Sequence, residues 1–148
     1  MVAFLADRML EGMARRLRLL GYDCAPLEGE FRSPQSILER ARAERRVLLT
    51  TARRLHERAP CTAMWIATEA PDEQVRRVVR SYPIDFAAAA FTRCSRDNTP
   101  LERVKFEEAS ERLPPLVREQ RPEFLRRCPH CGRIYWEGSH VRRLRERY

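Results

Sequence analysis

Cys128-Pro129-His130-Cys131-Gly132 sets two thiols at C-x-x-C spacing, close enough for both sulfurs to reach one metal ion. A ribbon-type tetrahedral site takes four ligands, so this pair calls for another. The one upstream match is Cys94-Ser95-Arg96-Asp97, a knuckle of the same spacing whose second cysteine is an aspartate. Zinc accepts carboxylate oxygen at a bond length close to that of nitrogen, so Cys94, Asp97, Cys128 and Cys131 form a candidate zinc site. His130 and His140 are rival fourth ligands to Asp97. His130 lies inside the knuckle loop, where reaching back to the same ion is awkward, whereas His140 follows Gly138 and can swing in. Such a zinc would be structural, since a catalytic one keeps a position open for water. The alternative is that Cys94 is an isolated thiol.

A second set of residues could do acid chemistry. Asp7 ends a short apolar run, "VAFLA", and Glu11 lies one helical turn further on. Asp23 is placed after a second strand, and Glu69 and Asp72 follow a fourth. In an open parallel sheet, function gathers where the carboxyl ends of the strands meet. Carboxylates converging there could hold one or two divalent ions that activate water and steady the charge on a leaving oxygen. An aspartate directly before a helix serves equally well as its N-cap, and that is the competing role for Asp7. A third set is basic and aromatic: Arg133, Arg142, Arg143 and Arg145 beside Tyr135 and Trp136, with Arg15 and Arg18 after Asp7. These could contact RNA through phosphate and base stacking. The competing role for the two aromatics is to pack the ribbon against the preceding domain, and this is the role expected of Trp136.

The elements that must position these residues alternate. "RMLEGMARRLRLLG" is helical in period, with Met9, Met13, Leu17 and Leu20 on one face, Leu10 and Ala14 flanking it, and Gly21 as C-cap. "YDCAP" reads as a strand. "SPQSILERARAERR" reads as a helix opened by Ser33 and Pro34. "VLLTT" and "TAMWIAT" are strands separated by the short helix "ARRLHER", and "PDEQVRRVVRSY" is a helix with Val75, Val78 and Val79 inward. Strands and helices alternating at these spacings predict a parallel α/β sheet flanked by helices. The alternation stops near Pro83, and a proline-rich, turn-rich segment follows. The boundary therefore lies near residues 84–90, giving an α/β domain over 1–86 and a small zinc ribbon over 87–148. The second part is too short for its own hydrophobic core, and a metal would explain how it holds together.

The composition sets outer limits. The 148 residues suit one domain with an appendage and can bury a sizeable core. No apolar run has membrane-spanning length and the first residues do not read as a signal peptide, so a cytoplasmic location without a membrane partner is expected. The five cysteines, an odd count, argue against a disulfide framework; Cys24 and Cys61 are expected as small core residues beside strands. The net charge is +8, and Lys105 is the only lysine. Guanidinium binds phosphate through two hydrogen bonds and stacks on bases, so an arginine surplus suits RNA; it also suits a genome whose composition favours arginine.

The segments "FLADRMLEGMARRLRLLGYD", "RRVLLTTARRL", "RCSRD" and "RCPHCGRIYWEGSH", in this order and spanning nearly the whole chain, resemble the Mut-seven C-terminal family. The resemblance implies a PIN-like RNase fold followed by a zinc ribbon, with acidic residues around a Mg²⁺ or Mn²⁺ ion and RNA cleavage as the activity. The chain departs from that pattern at several positions. Ala52 stands where the family carries an aspartate after the third strand. Ser33, Pro34 and Gln35 stand where an acidic residue opens the second helix, and Asp97 stands where the ribbon has a cysteine. Of the acidic cluster, Asp7 carries over, with Glu11, Glu69 and Asp72 as substitutes. The leading expectation is an RNA-binding PIN-like and zinc-ribbon protein whose metal-dependent ribonuclease site is weak or lost. The alternatives are an active ribonuclease that uses the substitute acids, and a protein-interaction or ribosome-associated adaptor.

Overall fold

The computed structural model describes residues 1–31 and 33–148, without the side chains of Ser139, His140, Val141 and Arg145. The chain opens with β1 (Ala3–Ala6), a 3₁₀ turn (Arg8–Leu10) and α1 (Glu11–Leu20). It continues through β2 (Asp23–Pro26), α2 (Pro34–Ala43), β3 (Val47–Thr50), α3 (Arg53–Arg58), β4 (Ala63–Trp65), α4 (Pro71–Ser81) and α5 (Phe86–Ala89). The four strands form one parallel sheet in the order β2-β1-β3-β4. Then come β5 (Glu102–Val104), α6 (Phe106–Ala109), a 3₁₀ turn (Ser110–Arg112), α7 (Pro115–Gln120), β6 (Leu125–Arg127), β7 (Ile134–Trp136) and α8 (Ser139–Arg147). Here β5, β6 and β7 form an antiparallel sheet. Among the described residues no helix is long and apolar enough to cross a membrane.

The parallel strands are apolar on both faces, as a sheet covered by helices on both sides must be. Phe4, Ala6 and Leu49 face one way, into a cluster with Leu10, Met13, Leu17, Leu20, Val75 and Val78 from α1, α4 and the turn before α1. Leu5 and Leu48 face the other way, against Leu38, Ala41 and Leu55 from α2 and α3. Ser33 caps α2 by accepting from the Ser36 N–H, and Pro34 pre-sets its first turn. Gly21 ends α1 at φ 103°, and a Cβ there would come within 2.1 Å of the Ala89 carbonyl oxygen. Both the left-handed turn and the seating of α5 therefore require glycine.

Three expectations about packing are corrected. Met9 is 77% exposed, because the turn at Arg8–Leu10 is 3₁₀ and the α register begins only at Glu11; Leu10 takes the inward place. Cys24 is buried, but Cys61 is exposed, lying in the turn before β4 enters the core. Asp23 opens β2 opposite Ala3, so it stands at the amino end of the sheet, away from the edge where Asp7 follows Ala6.

The C-terminal segment is built into the α/β layers. Leu144 and Tyr148 pack against the first core, and the Tyr148 hydroxyl donates to Asp72 at the start of α4. The antiparallel sheet has its own small cluster of Ala109, Leu113 and Leu125, with Trp136 packed on it. A further cluster of Ala90, Phe91, Cys94, Cys128 and Tyr135 meets Leu19 of α1.

Candidate functional site

The two knuckles share one backbone design. In the second, the Cys128 N–H donates to Arg133 O and the Gly132 N–H to Cys128 O, with Gly132 at φ 73°. In the first, the Cys94 N–H donates to Thr99 O and the Asn98 N–H to Cys94 O, with Asn98 at φ 68°. Asn98 thus stands where Gly132 stands, four residues after the leading cysteine, and asparagine tolerates the left-handed conformation better than other non-glycine residues. That offset was readable from the sequence alone.

These turns bring one donor atom each from Cys94, Asp97, Cys128 and Cys131 within 4.8 Å of one another. The Cys94 and Cys131 sulfurs are 3.7 Å apart, and the Cys128 sulfur is 3.6 Å from each Asp97 oxygen. A tetrahedron with metal–sulfur bonds of about 2.3 Å has edges of about 3.8 Å between sulfurs, and slightly less to oxygen. The donor set and its spacing fit a metal ion such as zinc. Burial raises the Asp97 carboxyl, but hydrogen bonds from the Thr99 main chain and hydroxyl and from the Cys94 and Cys131 thiols outweigh it and hold the group well below the usual carboxylate range. Asp97 is therefore an anion ready to ligate. Burial and the neighbouring thiols push Cys131 up to about 11, so binding a cation here must displace protons. His130 is exposed at the knuckle tip and outside this set, and the His140 side chain lies outside the described residues.

Tyr135 and Arg18 support the cluster from behind. The Tyr135 hydroxyl lies 3.1 Å from the Cys94 sulfur and accepts from the Ser95 N–H at 3.0 Å. The ring is 7% exposed, so it packs the ribbon against the α/β layers and offers no stacking face; Trp136, expected in that role, packs within the antiparallel sheet's own cluster instead. Arg18 is fully buried. Its guanidinium donates to Cys24 O at 2.6 Å, to Ser95 O at 2.8 Å, to Arg96 O at 3.2 Å and to Glu11 at 3.2 Å. It fastens the first knuckle to α1 and β2 and has no surface for a phosphate.

The candidate acids are each engaged elsewhere. Asp7 caps the 3₁₀ turn by accepting from the Met9 N–H, and its other oxygen accepts from the Thr50 hydroxyl at 3.3 Å. Thr50 in turn accepts from the Ala52 N–H. Glu11 pairs with Arg15 and Arg18, Glu69 with Arg77, and Asp72 with Arg16 and Arg147. The Tyr148 hydroxyl, ahead of those arginines, holds Asp72 below the usual carboxylate range. Among the described residues, the cysteine set is the one group of three or more metal-ligating side chains whose donors converge. The depression beside Ala6 at the sheet's carboxyl edge is lined by Arg8, Arg15 and Arg96 together with Glu11 and Glu28. Of the remaining arginines expected at RNA, Arg133, Arg142 and Arg143 are exposed, and Arg145 has no described side chain.

A family model described as "Mut7-C RNAse domain" matches residues 2–148. No curated protein and no solved structure matches the chain.

Proposed function

The chain belongs to the Mut7-C RNAse domain family, and from that premise we propose that it binds RNA on a nuclease-like frame whose metal-dependent cleavage centre has decayed. Family membership suggests a nuclease-like or RNA-related role. One observation carries the finer reading: each substitute acid near the carboxyl edge is already neutralised by arginine. A divalent ion would have to displace a guanidinium to reach Glu11, Glu69 or Asp72, and Asp7 alone offsets too little charge to hold Mg²⁺ or Mn²⁺. In the depression at the same edge Arg8, Arg15 and Arg96 outnumber Glu11 and Glu28, so its balance favours a phosphate over a cation. In this reading zinc at Cys94, Asp97, Cys128 and Cys131 holds the ribbon in shape, and Arg133, Arg142, Arg143 and Arg145 add to the basic surface.

The test has three arms. Elemental analysis of fresh protein should find about one zinc per chain. Single-stranded RNA should bind with a steep salt dependence, each phosphate held adding about 0.7 to the log–log slope. The same RNA should stay intact with Mg²⁺ or Mn²⁺. Cleavage that disappears in Asp7→Asn would establish the active ribonuclease instead. Absence of RNA binding at low salt would leave the protein-adaptor reading.

A further inference from the structure

We infer that the face of the antiparallel sheet carrying Phe124, Arg103 and Arg126 is a cleft for single-stranded RNA, in which a base stacks on Phe124 and its flanking phosphates meet the two guanidinium groups. This rests on the RNA-binding reading above and names a site which that reading does not contain.

The residues share a face by register. Arg103 of β5 lies directly across from Arg126 of β6, and Arg126 across from Tyr135 of β7. Phe124 precedes Arg126 by two residues, and two residues along a strand return to the same face. The Arg103 guanidinium sits 5.7 Å from the centre of the Phe124 ring, which agrees with that placement. Like charges directly opposite each other destabilise an antiparallel pair. Neither Arg103 nor Arg126 forms an ion pair among the described residues, so both guanidinium groups remain open to an anion. Phe124 is 50% exposed, in a ribbon that buries Leu125 beside it.

The surface around these residues is concave. A cavity of about 190 Å³ lies between this face and Ala87 and Ala88 of α5, with Phe124, Arg103 and Arg126 in its lining. Two adjoining depressions also include Phe124, one with Arg103 and Arg126, the other with Arg142. Phe124 is thus the shared wall of a groove with a guanidinium on each side. A planar base fits against an exposed ring whose other face is held by arginine, and the groove has room for the chain to continue in both directions. Glu123 and Glu137 also line the groove, Glu137 in the cavity with Arg103 and Arg126 and Glu123 in the adjoining depression with the same two arginines, so these carboxylates are acceptors for the amino groups of a base held beside Phe124. A duplex has no free base face to offer, so the groove suits a single strand.

The test is fluorescence anisotropy with a short labelled single-stranded RNA of mixed sequence, on the zinc-loaded full chain. Phe124→Ala should weaken binding by about 5- to 150-fold, the range for removing one stacked base, whereas Phe124→Tyr should restore it. Arg103→Ser with Arg126→Ser should lower the log–log salt slope by about 0.7 for each phosphate no longer held. Phe124 is half-exposed, so thermal melts of all variants should match the parent. If the parent binds RNA and Phe124→Ala binds equally well, this site is wrong and the RNA reading stands. If the parent binds no RNA, both fall. Equal competition by polyglutamate would assign the groove to an acidic protein partner and overturn the proposal.

Discussion

Arg18 illustrates how residue type misleads when burial is invisible. The sequence shows an arginine among arginines and assigns it to the surface, but the structure puts it at zero exposure with three main-chain carbonyls and a carboxylate around it. Replacing it with methionine leaves those carbonyls without donors. The expected cost is about 3–5 kcal/mol, read from urea midpoints. Arg15→Met, which breaks only an exposed pair with Glu11, should cost less than about 0.5 kcal/mol. Equal costs would mean that Arg18 is not where the structure puts it. The convergent set Cys94, Asp97, Cys128 and Cys131 lay open in the sequence for the opposite reason: C-x-x-C spacing encodes a local turn, and local geometry survives without tertiary knowledge. Tyr135 did not, because nothing in "RIYWEG" tells which aromatic turns inward. Its hydroxyl at Cys94 should fix that sulfur's orientation, so Tyr135→Phe should weaken zinc about 10-fold or more in a chelator competition assay. Asp97→Cys should tighten it, because thiolate is the stronger zinc ligand.

At the scale of elements, helix and strand order follows from periodicity, and the α/β alternation up to Ser81 was legible. The element ends were less so: a 3₁₀ turn before α1 shifts Met9 outward, and β4 is shorter than its apolar run suggests. How β2, an edge strand, is covered was not legible at all. Its Cys24 N–H donates to the Asn98 side chain, and its Cys24 carbonyl accepts from Arg18. The first knuckle therefore closes an edge that would otherwise be open to pairing with another chain. Asp23 anchors this junction, accepting from Asn98 and Arg46 at 2.7 Å each and pairing with Arg93 at 3.3 Å. Burial raises the Asp23 carboxyl, but Arg46, Asn98 and Arg93 together hold it below its usual value. A carboxyl depressed in the folded state stabilises above its unfolded pKa, about 3.9, and loses that contribution as pH falls through the lower folded value. Stability should therefore drop below about pH 4. In Asp23→Asn this part of the acid limb should be absent, so the gap between parent and variant urea midpoints should be widest near neutrality and close toward pH 3. A constant gap would mean that the Asp23 charge does not matter.

At the scale of the whole molecule, the question is whether the C-terminal ribbon and the parallel sheet come apart when a metal bound at the cysteine set is withdrawn. The family match runs through both, and α8 returns from the ribbon to pack Leu144 and Tyr148 on the first core, so the chain is not two beads on a string. The cores are nonetheless distinct: the sheet's inner cluster is built from β1–β3 and the helices α1 and α4, whereas Cys94 and Cys128 sit in the joint cluster with Tyr135. The five thiols report on this directly. Cys61 is exposed and should react with a thiol reagent at once. If the set holds a metal as proposed, Cys94, Cys128 and Cys131 should be protected by it and should react together after chelation, because metal binding at such a site contributes folding energy. Cys24 is buried among the sheet's apolar side chains, and burial pushes its thiol up to about 12. Both its access and its thiolate fraction are therefore low, and it should react only on global unfolding. The expected sequence is one fast thiol, then three after chelation, then one in denaturant. Labelling of Cys24 together with the three ribbon thiols would mean that releasing Asn98 and Arg18 from β2 opens that strand as well, making the ribbon a folding partner of the sheet rather than an attachment to it.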